Sequence, residues 1–322
     1  MILTVTINPL LERRLFFDRI NPEGENRAEK EQYVAGGKGI NISRQLNVLG
    51  IKNIALTFLG GPTSKILRQT LAAEGINYTA VAIRDDMRTA TAIFDGEGKR
   101  RVSYFSPNFE VTEKEVNEFK SKLAKMIPNA SLVVFAGSSP SPLADEIFPF
   151  GIETAEKEDK PVLLDTYGAH LEECLKRKPF ALHNNLSEIK KSLNVDLNDE
   201  EAINEFLMKL YAKGVRLSFL TNGADYVRAA KFDFHYRAKP PQIKEIDAVG
   251  SGDAFTAGII YGLEKSLVFK DSLKFAAALG ALNAADIKTC AAPKEEAEKS
   301  AEKICVEEIG KKMKIIDDSP NY

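Results

Sequence analysis

Residues 247–258 read DAVGSGDAFTAG, from Asp247 to Gly258. Gly250, Ser251 and Gly252 stand just before an amphipathic helical pattern over Phe255 to Leu263. Small residues there let successive backbone N–H groups converge, and a helix N-terminus adds positive potential. Such a nest suits a phosphate, or the charge that develops on a phosphoryl group in transfer. Asp253 falls in the first helical turn, so its carboxylate is aimed at the same spot. Read alone, the string favours a glycine turn whose Asp253 merely caps a helix.

Outward from this stretch, a second glycine cluster, GGKGIN from Gly36 to Asn41, opens another helical pattern over Ile40 to Leu49. Glycines allow a ligand close approach, and Lys38 and Asn41 offer a cation and an amide to sugar hydroxyls or a phosphate. The cluster is not a Walker A loop, because GxxxxGK[ST] does not occur. Nor is it a dinucleotide fingerprint, because GxGxxG spacing is missing after the first strand, which puts a nicotinamide dehydrogenase far behind.

Between the two clusters, short apolar runs alternate with helical patterns. Strands are expected at Ile2 to Ile7, Ile54 to Leu59, Leu132 to Ala136, Val162 to Asp165, Phe180 to His183 and Val215 to Thr221. Helices are expected over about Ser64 to Glu74 and Leu143 to Glu156. This rhythm argues for an α/β fold with a mostly parallel sheet covered on both faces. Two stretches break it. Residues 13–34 alternate around Leu15, Phe17 and Tyr33. Residues 89–105 read as a hairpin whose DGEGK turn carries Gly96 and Gly98. Together they predict a small second sheet that needs cover, over a site or against another subunit. From about Ala254 the chain reads as helical to its end. No repeat, low-complexity stretch or long linker marks a second independent domain.

Composition excludes other classes. The chain has 322 residues, 44% hydrophobic, with a formal net charge of −2. That is enough for a large core, and it lacks the basic stripe of a nucleic-acid binder. No segment approaches the roughly 20 apolar residues of a membrane span, and the N-terminus lacks a signal-peptide pattern, so a cytoplasmic location is expected. Cys174, Cys290 and Cys305 are odd in number and far apart. They fit thiols of a reducing compartment better than disulfides. His170, His183 and His235 are isolated in sequence, without zinc-like spacing.

Taken together, GGKGIN and D-x-x-G-x-G-D resemble the two signatures of the ribokinase-like (PfkB) carbohydrate kinases. The resemblance runs in order through Asn8-Pro9, the glycine helix, the DGEGK hairpin, GSSP (137–140), LLDT (163–166), NLSE (185–188) and TNG (221–223). Within the family it is most similar to the 1-phosphofructokinase and tagatose-6-phosphate kinase branch. The resemblance implies one three-layer domain over 1–322, with a β lid from about 10–35 and 88–106. It implies ATP-dependent phosphorylation of a ketohexose phosphate (fructose 1-phosphate, tagatose 6-phosphate or fructose 6-phosphate). Magnesium would assist, and a monovalent cation such as potassium is a further implied partner.

Residue by residue, it implies Asp253 as base and Gly250, Ser251 and Gly252 as anion hole. Glu12, Gly37, Lys38, Asn41, Arg88 and Ser138 would contact the sugar phosphate, with Lys38 and Arg88 on its phosphate. Arg27 would reach a neighbouring subunit's site in a homodimer formed through the lid. Asn185 and Glu188 would organise magnesium and triphosphate waters, Thr221 and Gly223 would underlie the phosphates, and Asn283 would lie near the adenine. Asp247 and the backbone of Val249 would hold the monovalent cation. Four positions depart from the family pattern: Glu12 is one methylene longer than the usual Asp, His183-Asn184-Asn185 replaces KPN, Ala248 replaces Thr, Ser or Pro, and Tyr226 replaces a glycine. They open a competing reading, a sugar-phosphate or nucleotide sensor on the same fold. A kinase of a nucleoside or neutral sugar is disfavoured, since Lys38 and Arg88 would lack an anion.

Overall fold

The computed structural model describes residues 1–96 and 100–309. In chain order come β1 (Ile2–Thr6), β2 (Leu10–Phe17), β3 (Lys30–Gly36), α1 (Lys38–Val48), β4 (Asn53–Gly60), α2 (Thr63–Ala73), β5 (Tyr78–Ile83), β6 (Thr89–Asp95) and β7 (Arg100–Phe105). There follow α3 (Glu113–Met126), β8 (Leu132–Gly137), α4 (Ile147–Lys157), β9 (Val162–Thr166), α5 (Leu171–Lys176), β10 (Ala181–Asn185), α6 (Leu186–Leu193) and α7 (Glu200–Ala212). Last come β11 (Leu217–Thr221), β12 (Val227–Lys231), β13 (Phe234–Ala238), α8 (Ser251–Glu264), α9 (Phe269–Ala284), α10 (Lys294–Ala301) and β14 (Val306–Ile309).

The large sheet runs β14-β13-β12-β11-β10-β9-β8-β1-β4-β5. It is parallel from β5 to β11 and antiparallel from β11 to β14. Successive residues of a strand point to opposite faces, and here both faces are apolar. Leu3, Val5, Val133, Phe135, Leu164 and Leu182 enter one core with α2 to α7. Ile2, Leu132, Val134, Leu163 and Phe219 enter the other with α1, α8, α9 and α10. This is why the sequence shows unbroken apolar runs rather than alternation.

Strand order reverses between the parallel strands β1 and β8, so a crevice opens beyond their C-terminal ends, where ligands of open α/β sheets bind. Asn8, just after β1, donates from Nδ2 to Ser138 Oγ, just after β8, at 3.0 Å.

The four-stranded second sheet runs β3-β2-β6-β7, with β2 and β6 parallel. Register puts Glu12, Arg14, Ala92, Phe94 and Arg101 on one face. Arg13, Tyr33, Leu15, Ile93, Val102 and Tyr104 share the other. Val102, Tyr104 and Tyr33 are exposed. The expected hairpin is present, while its turn residue Gly98 lies outside the described residues.

The structure corrects three sequence expectations. The chain is not helical to its end: β14 pairs with β13, giving its edge N–H and C=O groups partners. Residues 310–322 lie outside the described residues. The β12–β13 hairpin and edge strand β5 were also unforeseen; four- to six-residue runs carry little periodicity to separate strand from helix. The helix expected over Leu143 to Glu156 begins with a tighter turn over Pro142–Glu146. Among the described residues no helix is long and apolar enough to cross a membrane.

Candidate active site

The glycine loop owes its shape to Gly250, which caps α8 in the left-handed region at φ 86°. A Cβ there would lie 2.4 Å from Thr289 Cγ2 and 3.2 Å from Cys290 Sγ. Asn283 holds the loop from beneath. Its Nδ2 donates to Val249 O at 2.9 Å and Ser251 Oγ at 3.1 Å, and its Oδ1 accepts the Cys290 N–H at 2.6 Å. The first N–H groups of α8 have no intrahelical partners. Gly250, Ser251, Gly252 and Asp253 border a cavity of about 460 Å³.

Asp253 is buried in the first turn of α8, and its Oδ2 accepts from Asn41 Nδ2 at 2.7 Å. Burial pushes its carboxyl up; Lys38 and Asn41 oppose, Asp165 and Glu188 add, and the result is about 7. Lys38, at the start of α1, places Nζ 2.7 Å from Asp165 Oδ1 and 2.7 Å from Glu188 Oε1. Burial opposes its charge, but Asp165, Glu188 and Asp253 outweigh burial and hold Lys38 above the usual lysine range. Burial likewise opposes the charge of Asp165, but Lys38 and His183 hold it below the usual carboxylate range.

Asp165, His183 and Thr256 form a network that the sequence motifs left unassigned. Asp165 Oδ2 accepts from Thr256 Oγ1 at 2.7 Å and lies 3.2 Å from His183 Nδ1. His183 Nε2 is 3.2 Å from Thr221 Oγ1 at the cavity wall. His183 is therefore not isolated in space. The signals available were LLDT at the end of β9 and the departure from KPN on β10, but no local spacing says that they meet.

On the nucleotide side, Asn185 and Glu188 form a capping box that starts α6. Glu188 N donates to Asn185 Oδ1 at 2.8 Å and Asn185 N to Glu188 Oε2 at 3.1 Å. The cavity wall also includes Thr221, Gly223 and the apolar residues Pro240, Pro241, Ile243, Ala281 and Ala284. Asn283 stands behind this wall, 1% exposed. The expected adenine contact is corrected to an anchor of the glycine loop, because all its amide atoms are committed there. Tyr226 lies off the cavity, against Arg228, Arg237 and Lys239.

Opposite the cavity, Arg88 donates to Asn8 O at 3.1 Å, and its buried Nε has no partner among the described residues. Burial lowers its affinity for a proton, as for a cation without a carboxylate. Lys38 differs, being already paired, so only Arg88 keeps the expected unmet charge. Gly37, at φ 114°, packs against Thr6, where a Cβ would meet Cγ2 at 2.6 Å. Arg27 is exposed on the β2–β3 loop.

Glu12 is buried and committed: Arg14 Nε donates to its Oε1 and Arg101 Nη2 to its Oε2, the latter at 2.7 Å. Arg101 Nη1 also donates to Asp247 Oδ1 at 2.9 Å.

The residues expected around two implied ions behave differently. Glu188 lines the cavity and offers oxygen donors that suit a hard divalent cation reached through water, whereas Asp165 is fully buried, with Oδ1 held by Lys38 and Oδ2 by Thr256. The monovalent site does not fit. Asp247 Oδ1 is taken by Arg101 and by Val249 N at 3.1 Å, and Val249 O by Asn283. Only Asp247 Oδ2 lacks a partner among the described residues.

Comparison with known proteins finds relatives over most of the chain. The chain is 29% identical to a 1-phosphofructokinase of Borreliella burgdorferi over 293 residues, covering 90% of this chain and 94% of the relative. It is 30% identical to a tagatose-6-phosphate kinase of Staphylococcus epidermidis over 292 residues, with 90% and 94% covered. A Thermotoga maritima crystal structure, named as a possible 1-phosphofructokinase, superposes with a TM-score of 0.87 at 25% identity, covering 96% of this chain and 100% of that one. The model of the pfkB family of carbohydrate kinases matches residues 8–296. The protein with its carboxylate at the glycine-loop helix is a member of the pfkB carbohydrate kinase family.

Proposed function

We propose that the protein transfers the γ-phosphoryl group of ATP to a hydroxyl of a ketohexose phosphate, giving a bisphosphate and ADP. The observation that carries this is Asp253, a buried carboxylate raised to about 7 in the first turn of α8, on the cavity wall beside Gly250, Ser251 and Gly252. The cavity's apolar lining suits a purine and its Thr221–Gly223 loop the triphosphate. Arg88, short of a carboxylate, suits the phosphate already on the sugar. The names of the relatives point to the same substrate class.

In this mechanism the acceptor hydroxyl gives its proton to Asp253 as its oxygen bonds to the γ-phosphorus. The bond from that phosphorus to the ADP oxygen breaks in line. The glycine loop of Gly250 to Gly252, at the positive N-terminus of α8, receives the charge on the transferring group. Magnesium, held through water by Glu188, would neutralise triphosphate charge, and Lys38 would add its positive charge at the cavity wall. The small sheet acts as a lid, and its exposed outer face joins two subunits.

A second reading, the ligand sensor, draws on one feature: both oxygens of Glu12 are already held by arginines, leaving no free carboxylate for sugar hydroxyls. ADP release with MgATP over fructose 1-phosphate, fructose 6-phosphate, tagatose 6-phosphate, fructose, ribose and adenosine separates the two. Turnover confined to phosphorylated ketoses is expected. Binding of ATP or sugar phosphate without turnover on any of them would favour the sensor.

A further inference from the structure

We propose that Arg101 is a built-in cation for the glycine loop, taking over at Asp247 the electrostatic role of a bound monovalent ion and tying the small sheet to the phosphoryl site. This rests on the phosphoryl-transfer reading above.

The argument begins with charge. Asp247 is 5% exposed and three residues before Gly250, so its negative charge lies beside a loop whose task is to receive more negative charge. A buried carboxylate in that place needs a neutralising partner. Arg101 supplies it from β7, at 2.9 Å. Its planar fork reaches Glu12 with the other terminal nitrogen at 2.7 Å, a bridging geometry that a lysine or a spherical ion does not reproduce. The guanidinium also lies 5.6 Å from the centre of the Phe94 ring, its cross-strand neighbour.

Loop geometry follows from the same carboxylate. Asp247 Oδ1 accepts the Val249 N–H and so bends the chain into Gly250. A second strut runs parallel: Arg14, paired with the same Glu12, donates to Ile287 O and Thr289 Oγ1, both at 2.7 Å. Thr289 in turn packs on Gly250. The small sheet therefore grips the glycine loop on two sides through one chain of alternating charge, Arg14–Glu12–Arg101–Asp247. Arg101 is a positioning residue, since it acts through Asp247 and the loop.

The test compares wild type, Arg101→Lys and Arg101→Ala in potassium chloride and in choline chloride at matched ionic strength, reading ADP release and thermal melting. Wild type is expected to show the same turnover and the same melting temperature in both salts. Arg101→Ala is expected to lose roughly 10²-fold in kcat, the scale of one lost electrostatic contact. Potassium is expected to restore part of that turnover and to raise the melting temperature of this variant alone, while Arg101→Lys keeps more turnover than Arg101→Ala. Potassium raising the melting temperature or turnover of wild type would overturn the proposal, the ion then entering at Asp247 Oδ2. So would an Arg101→Ala deficit that neither potassium nor lysine relieves. If Arg101→Ala does not fold, the wild-type melting comparison still decides. That comparison also stands if no sugar phosphate is turned over, so a failure of the kinase reading is seen separately.

Discussion

Asp253 must be unprotonated to accept a proton, yet its surroundings favour the protonated form. With its carboxyl raised to about 7, kcat/KM should climb as pH rises through neutrality. Lys38 is the neighbour that most favours the ionised form, so Lys38→Met should move that climb to higher pH, whatever it does to the maximum rate; an unmoved profile would sink the assignment. Asp253→Asn should fold and lose roughly 10²–10⁴-fold in turnover. The same shift bears on stability. A carboxyl raised above its unfolded value of 3.8 contributes stability that is full below that value and lost as pH rises through about 7. The urea midpoint of wild type should therefore fall over that window relative to Asp253→Asn. Asp253, Lys38 and Asn41 were legible in the sequence because each lies within a few residues of a glycine cluster. Asp165, His183 and Thr256 were not, because they reach the site from β9, β10 and the second turn of α8, and only the parallel register brings them together.

At the scale of elements, the position of α8 decides where the anion hole sits, and α9 decides the position of α8. Gly258 fits against Ala276: a Cβ would approach its Cα to 2.6 Å, and one at Gly262 would meet Ser272 Cβ at 2.6 Å. Backbone rather than a flexible side chain blocks the first, so Gly258→Val should cost about 1–3 kcal/mol by overpacking, read as a lower denaturant midpoint. An unchanged midpoint would mean that the two helices part easily. The parallel strands were readable because each is buried on both sides and keeps a continuous apolar run. The last strand was not: Val306–Ile309 is four residues of mixed character, and only the exposed edge of β13 makes it a strand. Asn283 misled for a related reason. A helix near a cavity can present a residue to the ligand or to the loop beneath, and sequence order does not say which.

For the whole molecule, the small sheet has one face committed to the large domain body and one face without cover. Tyr104 is 62% exposed and Val102 46%, in rows completed by Leu15, Ile93 and Tyr33. Two such faces would bury each other, so Val102→Asp with Tyr104→Lys should convert a dimer to a monomer by light scattering, and a wild-type monomer at micromolar concentration would exclude this interface. The inner face carries a different consequence, for descent rather than assembly. Its Arg14, Glu12 and Arg101 balance with Asp247 of the loop before α8, and all four are shielded from water. Replacing any one strands an opposite charge in the interior, which is costly, whereas replacing a neighbouring pair keeps the balance. Substitutions along this chain should therefore be strongly non-additive. Viable lineages would change these positions two at a time, and a library randomised at all four should return coordinated pairs far more often than single exchanges.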